Sequence, residues 1–444
     1  MFDLPKSVDF ALNGLKKAGF EAFIVGGCVR DILRGKQPSD YDITTSAEPE
    51  QTKEAFKNER IIETGLKHGT ITLLKDGNPL EITTYRIDGE YADNRRPDNV
   101  TFTKSLKEDL ARRDFTINAM AYSKNSGVVD LFGGKADLEN KIIRSVGDPD
   151  RRFNEDALRI MRALRFASVL GFKIDDGTKK SIIKNRNLLK NISAERIAVE
   201  LLKLITGENA KDVILEYIDV LGVILPEIKS IKNFDQKNPH HIYDVLTHTA
   251  IAVENTPPEP ALRLAILLHD CGKPDCFTTD ENKTGHFYGH PKISYEKAKV
   301  ALSRLKLDNA TTNLVLTLVK YHDVQIEPTE KSVKRALNKY TPEVFFKLLE
   351  IKKADNLAQN PEYNRIEQLN KLKRIAESII NKGECFSLKD LAVNGNDLIN
   401  IGLPAGKKVG ETLKFLLDSV INNDVENKKE ALLAFFKEKG DFCS

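Results

Sequence analysis

The segment Phe20 to Val25 has strand character, ends on Gly26-Gly27 and passes at once into the helix-prone Cys28-Val29-Arg30-Asp31. A strand that delivers two glycines to the start of a helix requires an α/β layer and leaves backbone N–H groups open to an anion, so it limits the possible folds more than any other feature. Ahead of it, Val8, Leu12 and Leu15 repeat at helical spacing and stop at Gly19. Behind it lies Ser39-Asp40-Tyr41-Asp42-Ile43-Thr44. Residues two apart in a strand share a face, so Asp40 and Asp42 are expected to hold their carboxylates over one cation position, for which Mg2+ is the natural occupant. Glu81, in the strand-like Pro79-Leu80-Glu81-Ile82-Thr83-Thr84, is the candidate third carboxylate. Gly26 and Gly27 let the backbone approach a triphosphate, and Arg30, one turn into the helix, offers a guanidinium fork. Either piece alone is most often a tight turn or a solvated loop. Their combination points to nucleotidyl transfer, in which paired ions activate a hydroxyl and stabilise pyrophosphate as it leaves.

A chain of 444 residues exceeds what one hydrophobic core usually serves, so two or three domains are expected. From Ile71 to Phe102, short Thr-rich and β-branched runs alternate with Asp76-Gly77-Asn78-Pro79 and the polar stretch Asp88 to Asn99, which makes residues 1–150 a mixed α/β domain. After Pro149 the pattern turns to long amphipathic runs, Glu155 to Val169 and Ala194 to Leu204 among them. The fold class is therefore α+β, with an N-terminal head of mixed sheet and helices followed by an all-α remainder. The division expected is head 1–150, helical neck 151–228, a helical domain at 240–360 and a helical tail at 361–444, with a boundary around Pro226 and the polar run from Lys229 to Pro239. The net charge of +3 is too small to identify a nucleic-acid binder. Five irregularly placed cysteines argue against a disulfide framework and for a reducing cytoplasm. The N-terminus lacks the look of a secretory leader, and no stretch approaches a membrane span.

Further along come Arg112-Arg113-Asp114-Phe115-Thr116-Ile117-Asn118-Ala119-Met120-Ala121, then Asp130-Leu131-Phe132-Gly133-Gly134 with Asp137-Leu138, then Asn154-Glu155-Asp156-Ala157-Leu158-Arg159, and finally Ser193-Ala194-Glu195-Arg196-Ile197 with Glu200-Leu201. In this order the set resembles the class II tRNA nucleotidyltransferases, the CCA-adding enzymes of the polymerase beta superfamily. The resemblance implies that Asp40 and Asp42 bind the catalytic metals and that Gly27, Arg30 and Arg113 hold the nucleotide. Asp114 and Asn118 of the same motif join that nucleotide-binding set. Asp156, Arg159, Arg162 and Arg165 would belong to a nucleotide-selecting helix. It further implies tRNA, CTP and ATP as partners, and a tail that binds tRNA.

The selecting pair makes chemical sense on its own. Cytosine and adenine both place an exocyclic amine beside a ring-nitrogen acceptor, which a carboxylate and a guanidinium can respectively accept from and donate to. Uracil and guanine present the opposite pattern. Asp156 and Arg159, three apart, are expected to be neighbours on one helix. Arg162 and Arg165 drift around that helix and are expected to reach phosphates or tRNA. The stretch Thr84 to Pro97, rich in charge, resembles the family's flexible loop and favours full CCA addition over terminal A addition alone.

Seven of the eight histidines lie between His240 and His322. His and Asp together can converge borderline and hard ligands on one or two ions that hydrolyse phosphoesters. The pattern resembles HD-domain metal-dependent phosphohydrolases. That resemblance implies His248, His269, Asp270 and Asp355 as core ligands of a divalent metal of unspecified identity, with His290 and His322 as ligands of a second ion. Cys271 and Cys276, which flank this region, lack zinc-ligand spacing and read as bystanders. The competing readings are a poly(A) polymerase of the same superfamily and an HD-type phosphohydrolase whose head only binds RNA.

Overall fold

The computed structural model describes residues 2–63, 65–89 and 100–439, so most of the stretch likened to a flexible loop lies outside the described residues. The chain divides into two compact units after Lys229.

In the first unit, α1 (Lys6–Lys17) buries Val8, Ala11, Leu12 and Leu15, the face its periodicity predicts, and stops before Gly19 at φ 90°. The chain then forms β1 (Ala22–Val25), turns at Gly26 into α2 (Gly27–Leu33), and returns as β2 (Asp42–Thr45). After α3 (Pro49–Ala55) come β3 (Arg60–Ile62), β4 (Thr70–Lys75) and β5 (Asn78–Thr84). The turn between β4 and β5 is Asp76-Gly77, both at positive φ, the backbone a tight hairpin requires. Asn78 and Pro79, expected to extend the turn, instead begin β5. A separate ribbon pairs β6 (Arg86–Asp88) with β7 (Val100–Phe102). Beyond α4 (Leu106–Ala111), the hairpin β8 (Met120–Ser123) and β9 (Gly127–Asp130) completes a seven-stranded sheet of order β3-β4-β5-β2-β1-β8-β9. Its β2–β5 pair is parallel and its other pairs antiparallel.

After α5 (Gly134–Glu139), strand structure all but ends, as the amphipathic runs indicate. Asp148 caps α6 (Pro149–Glu155) with bonds to the Asp150 and Arg151 amides, and Pro149 takes the first helical position, where its missing N–H costs nothing. Next come α7 (Leu158–Leu170), α8 (Asp176–Asn185), α9 (Ala194–Ile205), α10 (Ala210–Glu216) and α11 (Ile218–Ile224).

The second unit is helical: α12 (Val245–Asn255), α13 (Pro260–Leu268), α14 (His290–Leu305), α15 (Asn309–Tyr321), α16 (Glu330–Tyr340), α17 (Pro342–Leu357) and α18 (Ile366–Asn381). α13 buries every residue from Ala261 to Leu268, apolar but for Arg263, whose Nε donates to the Thr256 carbonyl. At the end of the chain, α19 (Gly395–Asn400), α20 (Lys407–Ile421) and α21 (Lys429–Lys439) enclose a small core around Leu398, Leu416, Leu417 and Leu432. No described helix is long and apolar enough to cross a membrane.

α7 and α9 pack so closely at Gly207 that a Cβ there would lie 2.2 Å from Ser168 Oγ and 2.7 Å from the Ser168 carbonyl carbon. The displaced backbone cannot swing aside like a flexible side chain. Gly207→Ala is therefore expected to lower stability by about 1–3 kcal/mol, the usual cost of overpacking, seen as a lower urea midpoint at unchanged m.

Candidate active site

Gly26 sits at φ 77° and ψ −131°, and a Cβ there would stand 3.0 Å from Arg113 Nη1 and 3.9 Å from Asp42 Oδ2. Only glycine accepts both the backbone and the crowding. The strand-turn-helix arrangement thus exists as its sequence suggests. Asp42 opens β2, whereas Asp40 lies in the loop just before it, so the two acids are not both strand residues. They nonetheless face one cleft of about 460 Å3, together with Gly26, Gly27, Arg30, Arg113, Asp114, Asn118, Asp156, Arg159, Arg162 and Arg165.

Glu81 pairs in register with Asp42 across the parallel β2–β5 ladder but does not line the cleft. Its influence is electrostatic. Desolvation pushes the Asp42 carboxyl above the ordinary carboxylate range, Asp40 and Glu81 push it the same way, and Arg113 opposes them. A metal cation would relieve such a cluster of acids, and these three could hold one.

The opposite wall is built around Asp114. Its Oδ1 accepts from the Phe115 amide (2.8 Å) and from Asn118 Nδ2 (3.1 Å), while its Oδ2 accepts from Arg162 Nε (2.8 Å). Asn118 Oδ1 accepts from Arg30 Nη1 at 2.8 Å, so a continuous chain of bonds joins α2 to α7. Burial alone would raise the Asp114 pKa. The charge of Arg162 and the bonds from Asn118 and Arg162 outweigh it and hold the group at about 2. Asp109, wholly buried on α4, does the same for the preceding arginines: it accepts from Arg112 Nη2 at 2.8 Å and from Thr44 of β2 at 3.1 Å, and lies 3.5 Å from Arg113 Nη2.

Asp156 departs from expectation. It is not a helical residue but stands in extended conformation, φ −136° and ψ 102°, at the break between α6 and α7. Its Oδ1 accepts from the Leu158 amide at 3.1 Å and its carbonyl from the Arg159 amide at 3.0 Å, so it caps the second helix instead of sharing one with Arg159. Its Oδ2 meets Arg196 Nη2 at 3.0 Å. The Arg159 guanidinium is fixed by the Arg152 carbonyl, Glu155 and the Arg112 carbonyl, which among the described residues leaves its Nε–H and one Nη2 hydrogen uncommitted.

Arg162 and Arg165, expected to reach phosphates or tRNA, both line the cleft and both lie beside acids. Arg162 meets Asp114, and the Arg165 Nε stands 2.7 Å from Glu200 Oε2, a contact without hydrogen-bond geometry that leaves both atoms buried and unbonded. Phe166, which no spacing rule singled out, lies within 5.4 Å of the guanidinium carbons of Arg30, Arg162 and Arg165. The signal that could have found it is an aromatic residue beside cations on an otherwise basic helix.

The second unit holds a second cluster. Nδ1 of His248, His269, His290 and His322 each faces a backbone carbonyl, at 3.1, 2.6, 2.9 and 2.7 Å respectively. A carbonyl only accepts, so each Nδ1 carries a proton and each Nε2 is turned inward. His248 Nε2 lies 2.9 Å from Asp355 Oδ1 and 3.5 Å from Asp270 Oδ2, and His269 Nε2 lies 3.2 Å from the same Asp270 oxygen. His290 Nε2 is 3.3 Å from the other Asp270 oxygen and 3.1 Å from His322 Nε2. Two groups of metal-ligand spacing therefore share Asp270. Nε2 of His248 and of His269 and Oδ2 of Asp270 are buried without a hydrogen-bond partner, the condition a cation relieves. Burial and its positive neighbours push His322 down to about 3, while Asp270 and Asp355 overcome burial to raise His269 to about 10. Sequence spacing did not mark Lys273, buried 2.7 Å from Asp270 Oδ2, or His241, whose ring is 5.1 Å from that of His248. Cys271 is a buried thiol outside both groups.

Three family models match: the poly A polymerase head domain over residues 22–144, the probable RNA- and SrmB-binding site of polymerase A over 171–232, and tRNA nucleotidyltransferase domain 2 over 277–436. The chain is 36% identical to a CCA-adding enzyme of Geobacillus thermodenitrificans and 34% identical to one of Lactobacillus helveticus, in each case over 96% of this chain and 95% of the other. Among solved structures it is similar to the Bacillus stearothermophilus CCA-adding enzyme in complex with CTP, with a TM-score of 0.73, 30% identity, and 97% and 96% of the two chains covered.

The first cleft generates a pH prediction. A carboxylate whose folded pKa lies below its unfolded value stabilises the fold above the unfolded pKa and loses that contribution as pH falls through the folded one. Asp114, at about 2 in the fold, should lose its contribution between about pH 4 and pH 2, worth roughly 2 kcal/mol. Urea unfolding of Asp114→Asn should show a flatter decline of stability with acid than the parent protein across that window.

Proposed function

The chain belongs to the family of CCA-adding enzymes, and on that premise we propose how its residues carry out the work. It is a tRNA nucleotidyltransferase that adds CCA to the tRNA 3′ end from CTP and ATP, with release of pyrophosphate. The activity is metal-dependent. The metal is Mg2+, held by Asp40 and Asp42 with Glu81 adding negative charge from the neighbouring strand. A divalent cation there supplies charge to the attacking 3′-hydroxyl and to the pyrophosphate that leaves.

The remaining chemistry belongs to the protein. Gly26 and Gly27 admit the triphosphate to the start of α2, and Arg113 faces it from across the glycine turn. Asp156 accepts from the exocyclic amine of cytosine or adenine, and an uncommitted Arg159 N–H donates to the adjacent ring nitrogen. Asp114, Asn118, Arg162 and Arg165 hold that wall rigid. The observation that carries this reading is the single cleft that contains Asp40 and Asp42 together with Asp156 and Arg159. A poly(A) polymerase would share the head, but relatives matched over nearly the whole chain are CCA-adding enzymes. The four described cysteines are free and no described helix could cross a membrane, in keeping with a cytoplasmic enzyme.

With tRNA ending before CCA, CTP alone should add two residues, and CTP with ATP should complete the end and stop. Asp42→Ala should lower incorporation by at least about a thousandfold while leaving the far-UV circular dichroism unchanged, because the lost group acts on the transition state. Retained activity in that variant overturns the metal assignment. Arg159→Ala should admit UTP and GTP by narrowing the preference for CTP and ATP at least about tenfold, consistent with the discrimination expected of a lost base-edge contact.

The second unit supports a further activity. His248, His269, Asp270 and Asp355, with His290 and His322, form a metal-dependent phosphohydrolase centre, read from the orphaned Nε2 atoms turned towards shared carboxylates. A divalent metal there supplies an activated water. Release of phosphate from a nucleoside 2′-monophosphate should vanish in His269→Ala and persist in Asp42→Ala. The opposite pattern assigns the hydrolysis to the head and removes this reading.

A further inference from the structure

The second unit's histidine cluster opens on one side into a small cavity of about 70 Å3, lined among others by His322, Asp355, Lys352, Gln325, Gln359 and Arg365. Asp355 and His322 come one from each half of the cluster, so whatever enters this cavity is brought against both. At roughly 15 Å3 per water-sized position, the space holds about five such positions. That suits a tetrahedral phosphoryl group, with the rest of a larger ligand left towards the open side.

The cavity wall carries two cations of different standing. Lys352 is committed, its Nζ donating to the carbonyls of His322 (2.5 Å) and Val324 (2.6 Å), and so braces the loop after α15. Arg365 is not. Its Nη1 donates only to a neutral amide, Gln325 Oε1, at a long 3.3 Å, and among the described residues its guanidinium meets no carboxylate. Its backbone N donates to Asn356 Oδ1 at 2.8 Å, which ties the residue to the helix that carries Asp355. Gln359 Nε2 donates to Asp355 Oδ2 at 3.1 Å and fixes that carboxylate from the same wall. A planar fork, anchored by its main chain and left without an anion, stands at the mouth of a phosphate-sized space that ends on metal-ligand side chains. Asp323 is the other acid in the lining; with a metal on Asp355, Lys352 and Arg365 outweigh it.

We propose that Arg365 forms, with this cavity, a binding subsite for a terminal phosphoryl group. It grips the group's outer oxygens while the remaining ones face the metal side. The inference rests on the phosphohydrolase reading and adds a specificity to it. A terminal phosphate, with three oxygens free of the ester linkage and extra negative charge against the two oxygens and single charge of an internal diester, should be preferred.

Cobalt(II) bound to the full-length Asp40→Ala/Asp42→Ala protein tests this, because visible absorption then reports on the histidine cluster and is silent to phosphate held elsewhere. Titration with inorganic phosphate should shift the cobalt spectrum. Arg365→Ala should raise the half-saturating phosphate concentration at least about tenfold and Arg365→Lys by less, with the phosphate-free spectrum and cobalt stoichiometry unchanged in both. Adenosine 2′-monophosphate should give the same dependence on Arg365, and tighter binding than inorganic phosphate would identify the end of a ribose as the source. Tighter binding of the inorganic ion would identify free phosphate, with the subsite still supported. An unchanged half-saturation in Arg365→Ala, or a cobalt spectrum indifferent to phosphate, overturns the subsite. A cobalt spectrum insensitive to His269→Ala overturns the metal centre itself and the subsite with it.

Discussion

The buried carboxylate of Asp114 is the interaction on which the first site depends. A carboxylate removed from water is costly unless paired and fully bonded, and here the bonds that relieve it are the ones that place the site's other groups. One oxygen gathers the Phe115 amide and Asn118, and the other gathers Arg162. Through Asn118 the same network reaches Arg30 beside the glycine turn. Loss of any partner leaves a buried charge uncompensated, so the network has few alternative arrangements. The wall proposed to read the base is thereby coupled to the turn proposed to receive the triphosphate.

The proposed roles of Asp42 and Asp114 require opposite electrostatics within one cleft. Around Asp114 the guanidinium groups are sufficient, and the carboxyl is held at about 2. Around Asp42 they are not. Its carboxyl is raised by desolvation and by Asp40 and Glu81, with Arg113 the cation opposing them. On the proposed reading, the second environment is the one suited to a soluble cation. Asp109 lies beside the arginine pair, 2.8 Å from Arg112 Nη2 and 3.5 Å from Arg113 Nη2, and so offsets part of their charge.

Much of this was legible in the order of residues, for reasons that differ from residue to residue. The glycine turn was legible because a positive φ at Gly26 leaves few other residue types. The course of α1 was legible because one apolar face must be buried. Asp156 was misplaced because spacing reports neighbours only if the helix is unbroken. The break depends on a side chain that caps Leu158 and on Arg196, forty residues away, which local pattern cannot reveal. Glu81, named as the candidate third carboxylate from a strand-like stretch, does pair in register with Asp42, but whether a side chain on the neighbouring strand turns into a cleft depends on packing from outside the sheet. The acidic neighbours of Arg162 and Arg165, Asp114 and Glu200, lie far off in sequence, so no local pattern could show them.

The histidine cluster shows the same limit from the other side. Residue types alone were enough to suggest ligation, but the direction of each ring is set by carbonyls at Ala358, Ile266, Phe287 and Val319. Ile266 and Val319 lie three residues before their histidines in the last turns of α13 and α15, where carbonyls lack their usual helical amide partner, and Phe287, three before His290, also accepts the His290 amide at the start of α14. The helix termini that would otherwise need water instead fix an imidazole. Because Nδ1 is committed there, Nε2 can only face Asp270 and its neighbours. The geometry of the cluster therefore follows from where α13, α14 and α15 begin or end, and a shift of one residue in any of those boundaries would turn its ring away from the shared carboxylate.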